Sequence, residues 1–330
     1  MNVVKIAKSS IVTATMVAGG AINAFSQLSN QKASPAELVD ALHTAFGNHH
    51  SRAVHAKGII LEGVFTPDKG AAALTKAPHL QSESSKVVVR FSDFTGIPDI
   101  PDNVAGANPR GFAIKFTMPN GLTTDIVAHS FNGFPTVNSD QFRELLLAIG
   151  SSGSDAAKPT QLDQFLSTHP VAKTFLTTQH NPASYATISY FGVNAFKFTS
   201  KQGASHFIRY RFIPEKGERL LTSEQMAKET ADYLQDEITA HIAKAPVRFK
   251  MYAQIAEDGD DIENPSVAWP ETRKQVLLGV IELQKLASNT AEADKQLSFI
   301  PNNIPDGIAT ADPMLNFRSQ AYPISVKERQ

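Results

Sequence analysis

Arg318 and Tyr322 stand four residues apart in Met314-Leu315-x-x-Arg318-x-x-Ala321-Tyr322-Pro323, a spacing that puts both on one helix face. A free phenol titrates near pH ~10, and a guanidinium held against it favours the phenolate. Tyrosinate is a hard anionic oxygen ligand of the kind that suits ferric haem iron. Taken alone, such a pair more commonly means surface packing. A second candidate is His55 in Arg52-Ala53-Val54-His55-Ala56-Lys57-Gly58, a stretch that reads as strand. A single imidazole there is either an acid–base group or a hydrogen-bonded core residue. A third is Val89-Arg90-Phe91-Ser92 with Asn108-Pro109-Arg110-Gly111-Phe112-Ala113-Ile114-Lys115-Phe116, whose alternating Arg and Phe fit strands with one wet and one dry face. Chemistry has to come from groups like these. The chain has no Cys, so disulfides, thiolate metal sites, iron–sulfur clusters and cysteine nucleophiles are all excluded. G-x-S-x-G, H-E-x-x-H, a phosphate loop and G-x-G-x-x-G are absent too.

The elements that must position these residues are legible as alternating blocks. Ser34 caps a helix from Pro35 to Gly47. Strands are expected at Val54–Phe65 and Lys86–Phe94, then a hairpin of Phe112–Met118 and Thr123–Ala128 across Pro119-Asn120-Gly121. A second hairpin pairs Tyr190–Thr199 with Ser205–Ile213, and late strands fall at Val247–Ile255 and Gln275–Glu282. Helical patterns occupy Ser139–Ile149, Gln161–Thr177, Ser223–Ile242 and Pro313–Tyr322, with Pro323 ending or kinking the last. With no repeat or low-complexity linker, this order fits one α+β domain built on an antiparallel sheet or barrel. The 31 Lys and Arg against 32 Asp and Glu leave a net charge of -1, and 42% of residues are hydrophobic. That balance argues against a disordered chain and against a charge-driven nucleic-acid binder.

Lys5 and Lys8 precede an apolar run from Ile11 to Ala24, with no acid before Glu37. With Ala24 and Ser26 at the −3 and −1 spacing, residues 1–26 read as a secretory signal cleaved after Ser26, leaving 27–330 as one domain. The run is too short for stable membrane insertion. Export is expected, to the periplasm for a Gram-negative source.

Together the three chemical motifs resemble the haem catalase superfamily. H-A-K-G, V-R-F-S, P-R-G-F-A-x-K-F, G-x-x-x-D-x-V, Phe299-x-Pro301-x-Asn303 and the terminal M-L-x-x-R-x-x-A-Y-P occur in the family's order, from about residue 45 to Arg329. The nearest likeness is its small exported branch, the catalase-related peroxidases. The resemblance implies an antiparallel β-barrel core with surrounding helices, and one haem b per chain buried between the barrel and the C-terminal helix. Tyr322 would be the iron ligand and Arg318 its charge partner, beside Met314, Ala321 and Phe299. Arg52, Arg90 and Arg329 would pair with haem propionates. His55 would be the essential distal histidine, Ser92 its hydrogen-bonding serine and Val54 the residue narrowing the channel. Phe134 and Phe142 would be distal phenylalanines, Phe142 lying against the haem plane.

Three departures bear on activity. His129 stands where full-size catalases carry the Asn that orients a second peroxide, leaving His129 itself or Asn132 as a substitute donor. Asn108 replaces a channel aspartate, and Asn194 replaces a His contacting the proximal Arg. The resemblance thus implies a peroxidase of organic hydroperoxides and H2O2, served by an external small-molecule donor, with weak or no catalase activity. An isomerase of the allene oxide synthase type and a non-catalytic haem carrier share the same core. The arms that interlock large catalases are missing, so a monomer or small homo-oligomer is implied.

Overall fold

The computed structural model describes residues 33–288 and 294–329; the expected signal, residues 1–26, lies outside them. Strict alternation of large apolar and small or polar residues along the strands separates two faces. In β3 (Gly111–Thr117), Phe112, Ile114 and Phe116 are fully buried inside, while Gly111, Ala113 and Lys115 point the other way. β1 (Gly58–Pro67), β2 (Ser85–Ser92) and β4 (Thr123–His129) likewise turn Ile59, Leu61 and Phe65, Val87, Val89 and Phe91, and Ile126 and Ala128 into the core. With β5 (Tyr190–Thr199), β6 (Ser205–Pro214), β7 (Val247–Ile255) and β8 (Gln275–Leu286), these strands form an antiparallel sheet ordered β4-β3-β2-β1-β8-β7-β6-β5. The His129↔Phe191 pairing between β4 and β5 closes it into an eight-stranded barrel, and β9 (Ile308–Thr310) adds to β5 outside.

The barrel lumen is packed solid. Phe91, Phe112, Tyr190, Phe212 and Phe249 meet with ring centroids 4.6–6.0 Å apart, and truncating one such ring costs about 3–5 kcal/mol. A site must therefore lie outside the wall. Helices α1 (Pro35–Phe46), α2 (Ser139–Gly150) and α7 (Pro313–Glu328) cover the outer face of β2–β4 and pack on one another through Leu38, Val39, Leu42, Leu146 and Ala321. A Ser34–Glu37 capping box starts α1, and the Asp312 carboxylate caps α7 by accepting from Met314 N–H.

Four elements differ from expectation. Arg52–Lys57 is not strand: β1 begins at Gly58 and His55 sits in the left-handed region at φ +58. The 161–177 helix is two, α3 (Gln161–Thr168) and α4 (Pro170–Thr177), because Pro170 lacks an N–H and restricts His169 before it. The 223–242 helix is also two, α5 (Ser223–Met226) and α6 (Tyr233–Ile242). The link between them is spent on tertiary bonds: Ala231 C=O accepts from Asp102 N–H and from Lys57 Nζ, and the Asp102 carboxylate accepts from Leu234 N–H. Finally, α7 runs through Pro323 to Glu328; packing against α1 and α2 outweighs the one lost hydrogen bond. Among the described residues no helix is long and apolar enough to cross a membrane.

Candidate active site

Register alone builds the floor. Gly58, Ser92, Gly111 and His129 are successive cross-strand partners on one rung at the barrel's end, and Arg90, Ala113 and Val127 occupy the next rung on the same face. The two glycines are required by space. A Cβ on Gly58 would stand 2.5 Å from the Arg90 guanidinium carbon, and one on Gly111 would stand 2.7 Å from His55 Nδ1 and collide with Ser92 Oγ. Above this floor lies a mostly apolar cavity. Every residue expected at the site lines it: Arg52, Val54, His55, Arg90, Ser92, His129, Phe134, Phe142, Phe299, Met314, Arg318, Ala321, Tyr322 and Arg329.

One wall presents an imidazole pair. His55 Nδ1 is 2.9 Å from the Asp93 carbonyl oxygen and 3.1 Å from Ser92 Oγ. A carbonyl only accepts, so Nδ1 carries the hydrogen and Nε2 keeps its lone pair. Burial, reinforced by His129 and Arg90, pushes His55 down to about 3, so the ring is neutral at pH 7. His129 has the opposite tautomer. Its Nδ1 accepts from Phe131 N–H at 3.4 Å, which leaves Nε2–H as a buried donor with no partner among the described residues. Burial, with Arg318 next, also lowers His129 to about 3. Asn132 is not the alternative donor: its amide turns away to Glu271 at 3.0 Å. Phe134 and Phe142 stack obliquely at 4.9 Å.

The opposite wall is α7, from Met314 to Val326. Arg318 Nη2 donates to Tyr322 Oη at 2.8 Å, and Nη1 donates to Asn194 Oδ1 at 3.0 Å. Asn194 in turn donates to the Asp312 carboxylate at 2.6 Å, so the substituted Asn keeps the arginine contact and ties it to the helix cap. Asp125, the acid of the G-x-x-x-D-x-V segment, pairs with Lys115 and accepts from Ile300 N–H at 2.8 Å, which fixes Phe299 at the cavity. At the rim, Arg52, Arg90 and Arg329 converge.

Neither motif arginine, Arg90 on β2 or Arg110 just ahead of β3, is wet. Arg90 is 3% exposed, and Arg110, fully buried, ion-pairs with Asp93 inside the wall beside Tyr185. Motif reading missed that pair, which anchors the residue whose carbonyl orients His55. It missed Gly111 as a spacer, and Leu38, Val39 and Leu42, the α1 stripe that roofs the cavity. The i, i+1, i+4 apolar spacing of that stripe was the available signal.

These residues suit a haem. An apolar slot takes a macrocycle, a phenolic oxygen with a guanidinium suits ferric iron, and a rim of arginines, including the partnerless buried Arg52 Nε, suits carboxylates.

Comparison with known proteins points the same way. The family model described as Catalase matches residues 40–330. A catalase-related peroxidase of Mycolicibacterium paratuberculosis is 34% identical over 302 residues, 90% of this chain and 95% of that protein. One from Synechococcus elongatus is 30% identical, covering 90% of this chain and 88% of its own length. Catalase-2 of Bacillus subtilis is 28% identical over 82% of this chain but only 42% of that longer protein. Among solved structures, a fungal catalase superposes with TM-score 0.74 at 22% identity, covering 84% of this chain and 59% of that one. Catalase A from Saccharomyces cerevisiae gives 0.73 at 19%, covering 100% and 67%.

Proposed function

The chain belongs to the catalase family, and on that premise we propose that it is a haem-dependent peroxidase that reduces organic hydroperoxides, and H2O2, with electrons from a small external donor. The observation that carries the reading is the pairing, across one cavity, of an arginine-held phenol with a neutral imidazole whose Nε2 lone pair is free. Tyr322 would ligate the iron of one haem b, and Arg52, Arg90 and Arg329 would hold its carboxylates. Bound haem would supply the redox-active iron that takes up the two oxidising equivalents of the O–O bond.

The rest is done by side chains. His55 Nε2 takes the proton from the near oxygen of R–O–O–H and returns it to the leaving oxygen, the work of one group with an unshifted tautomer. Ser92 and the Asp93 carbonyl hold that tautomer. His129 Nε2–H is a fixed donor for the second oxygen. Two electrons from the donor and two protons complete reduction to ROH and water.

The narrowing to organic hydroperoxides rests on Val54, Phe134, Phe142 and Phe175 around the distal wall and on the neutral Asn108, which donates to Gln179 and Asn181 at 3.0 Å. His129 in place of an amide weakens the case for disproportionation. Export with cleavage after Ser26 is part of the same proposal. The test is steady-state turnover of cumene hydroperoxide and of H2O2 by haem-reconstituted protein, with and without an electron donor, alongside oxygen release. Donor-dependent reduction supports the reading. Rapid O2 release from H2O2, or donor-independent isomerisation of a lipid hydroperoxide, overturns it.

A further inference from the structure

The three rim arginines are not waiting with free hands. Arg90 Nε and Nη2, the fork that best fits a carboxylate, donate to Asp294 Oδ1 and Oδ2 at 2.5 and 3.1 Å. Arg52 Nη2 donates to Asp294 Oδ1 at 3.1 Å and to its carbonyl at 2.9 Å. Arg52 and Arg329 each reach the Leu297 carbonyl at 2.7 Å. Asp294 is the carboxylate that ion-pairs with this cluster among the described residues. Burial works against its charge, but Arg90 and Arg52 together hold it below the usual carboxylate range, so it is ionised at neutral pH.

We propose that Asp294 is an internal carboxylate competing with the cofactor's own carboxylates for Arg90 and Arg52, and so sets how tightly the cavity holds a dicarboxylate macrocycle. The inference rests on the haem reading above. A ligand carboxylate that engages the Arg90 fork has to displace Asp294 or share the fork with it. The macrocycle's affinity is therefore reduced by the ion pair it breaks. An uncharged ring substituent has no such competitor. Asp294 thereby determines both cofactor residence and the preference between charged and esterified porphyrins.

The test compares wild type with Asp294→Asn, which keeps size and removes charge. Both proteins are titrated with haemin, with protoporphyrin IX and with its dimethyl ester, and haemin release to apomyoglobin is timed. The expected result is haemin and protoporphyrin IX bound about tenfold more tightly by D294N, the scale of one charge-assisted hydrogen bond released, with slower release and no change for the diester. Equal or weaker haemin binding by a folded D294N overturns the inference and makes Asp294 an orienter of the arginines. Failure of wild type to bind any of the three probes overturns the haem reading itself. Should D294N not fold, hydrogen exchange on wild type decides: amides of residues 294–298 lose protection when haemin is loaded if Asp294 is displaced, and gain it if the inference is wrong.

Discussion

Gly111→Ala tests the distal geometry with a single methyl group. Gly111 has no positive φ, so alanine costs the backbone nothing; the whole effect comes from where its Cβ lands. It would lie 2.7 Å from His55 Nδ1 and 2.9 Å from its Cε1, and closer still to Ser92 Oγ. Ordinary contact needs about 3.4 Å or more, so the imidazole must move by roughly 0.7–1 Å. It cannot slide freely, because Nδ1–H is committed to the Asp93 carbonyl at 2.9 Å and the ring packs edge-on against Phe94 at 5.7 Å. A displacement of that size in a proton-transferring group costs about 10²-fold, or ~2.7 kcal/mol of barrier. The assay is stopped-flow reaction of haem-reconstituted protein with cumene hydroperoxide, and haemin affinity is measured in parallel. The rate should fall about 10²-fold while haemin binding, governed by Tyr322 and the rim arginines, stays within a factor of a few. Gly153→Ala, where a Cβ meets nothing, should leave both unchanged. An unaltered rate in G111A would refute the role given to His55, and lost haemin binding with a normal rate constant would refute the division of the cavity into two walls.

Acid should unfold the chain before cofactor loading. His55, His79 and His129 are each held near 3 by burial, so the unfolded chain takes up their protons first, and the stability they contribute above pH 6.5 is lost as pH falls toward 3. Burial raises the Asp93 carboxyl, which works in the opposite sense, although its ion pair with Arg110 opposes that rise. The three histidines outweigh that one carboxyl, so stability should fall between pH 6 and pH 5, measurable by urea unfolding; a flat or rising profile would contradict it. Arg110→Met strands the buried Asp93 carboxylate and should cost about 3–5 kcal/mol in the same assay, whereas a loss under 1 kcal/mol would mean the pair is dispensable. His55→Ala should keep haemin but slow the peroxide reaction by about 10²–10⁴-fold; unchanged reactivity would favour a simple carrier.

The site was legible because its chemistry is local or motif-bound: Arg318 and Tyr322 share a helix face, and the hairpins around Gly121 and Gly203 announce their turns. Tertiary pull decided what was not legible. His55 reads as strand because Val54 and its neighbours have β propensity, yet its N–H bonds Phe94 C=O and its ring bonds Asp93, contacts that hold it at positive φ. Arg110 looked like a wet-face residue because its partner, Asp93, is 17 positions away in sequence. Asp294 lies more than 200 residues from the arginines it engages, beyond the reach of any local pattern.

Tyr322 Oη is proposed to ligate the iron of a haem that His55 faces. The most direct test is the absorption spectrum of wild type and Tyr322→Phe after titration with haemin. Wild type should take one haem per chain with a tyrosinate-ligated ferric spectrum, and Y322F should lose that spectrum with most of the binding. An identical spectrum and stoichiometry in Y322F would contradict it.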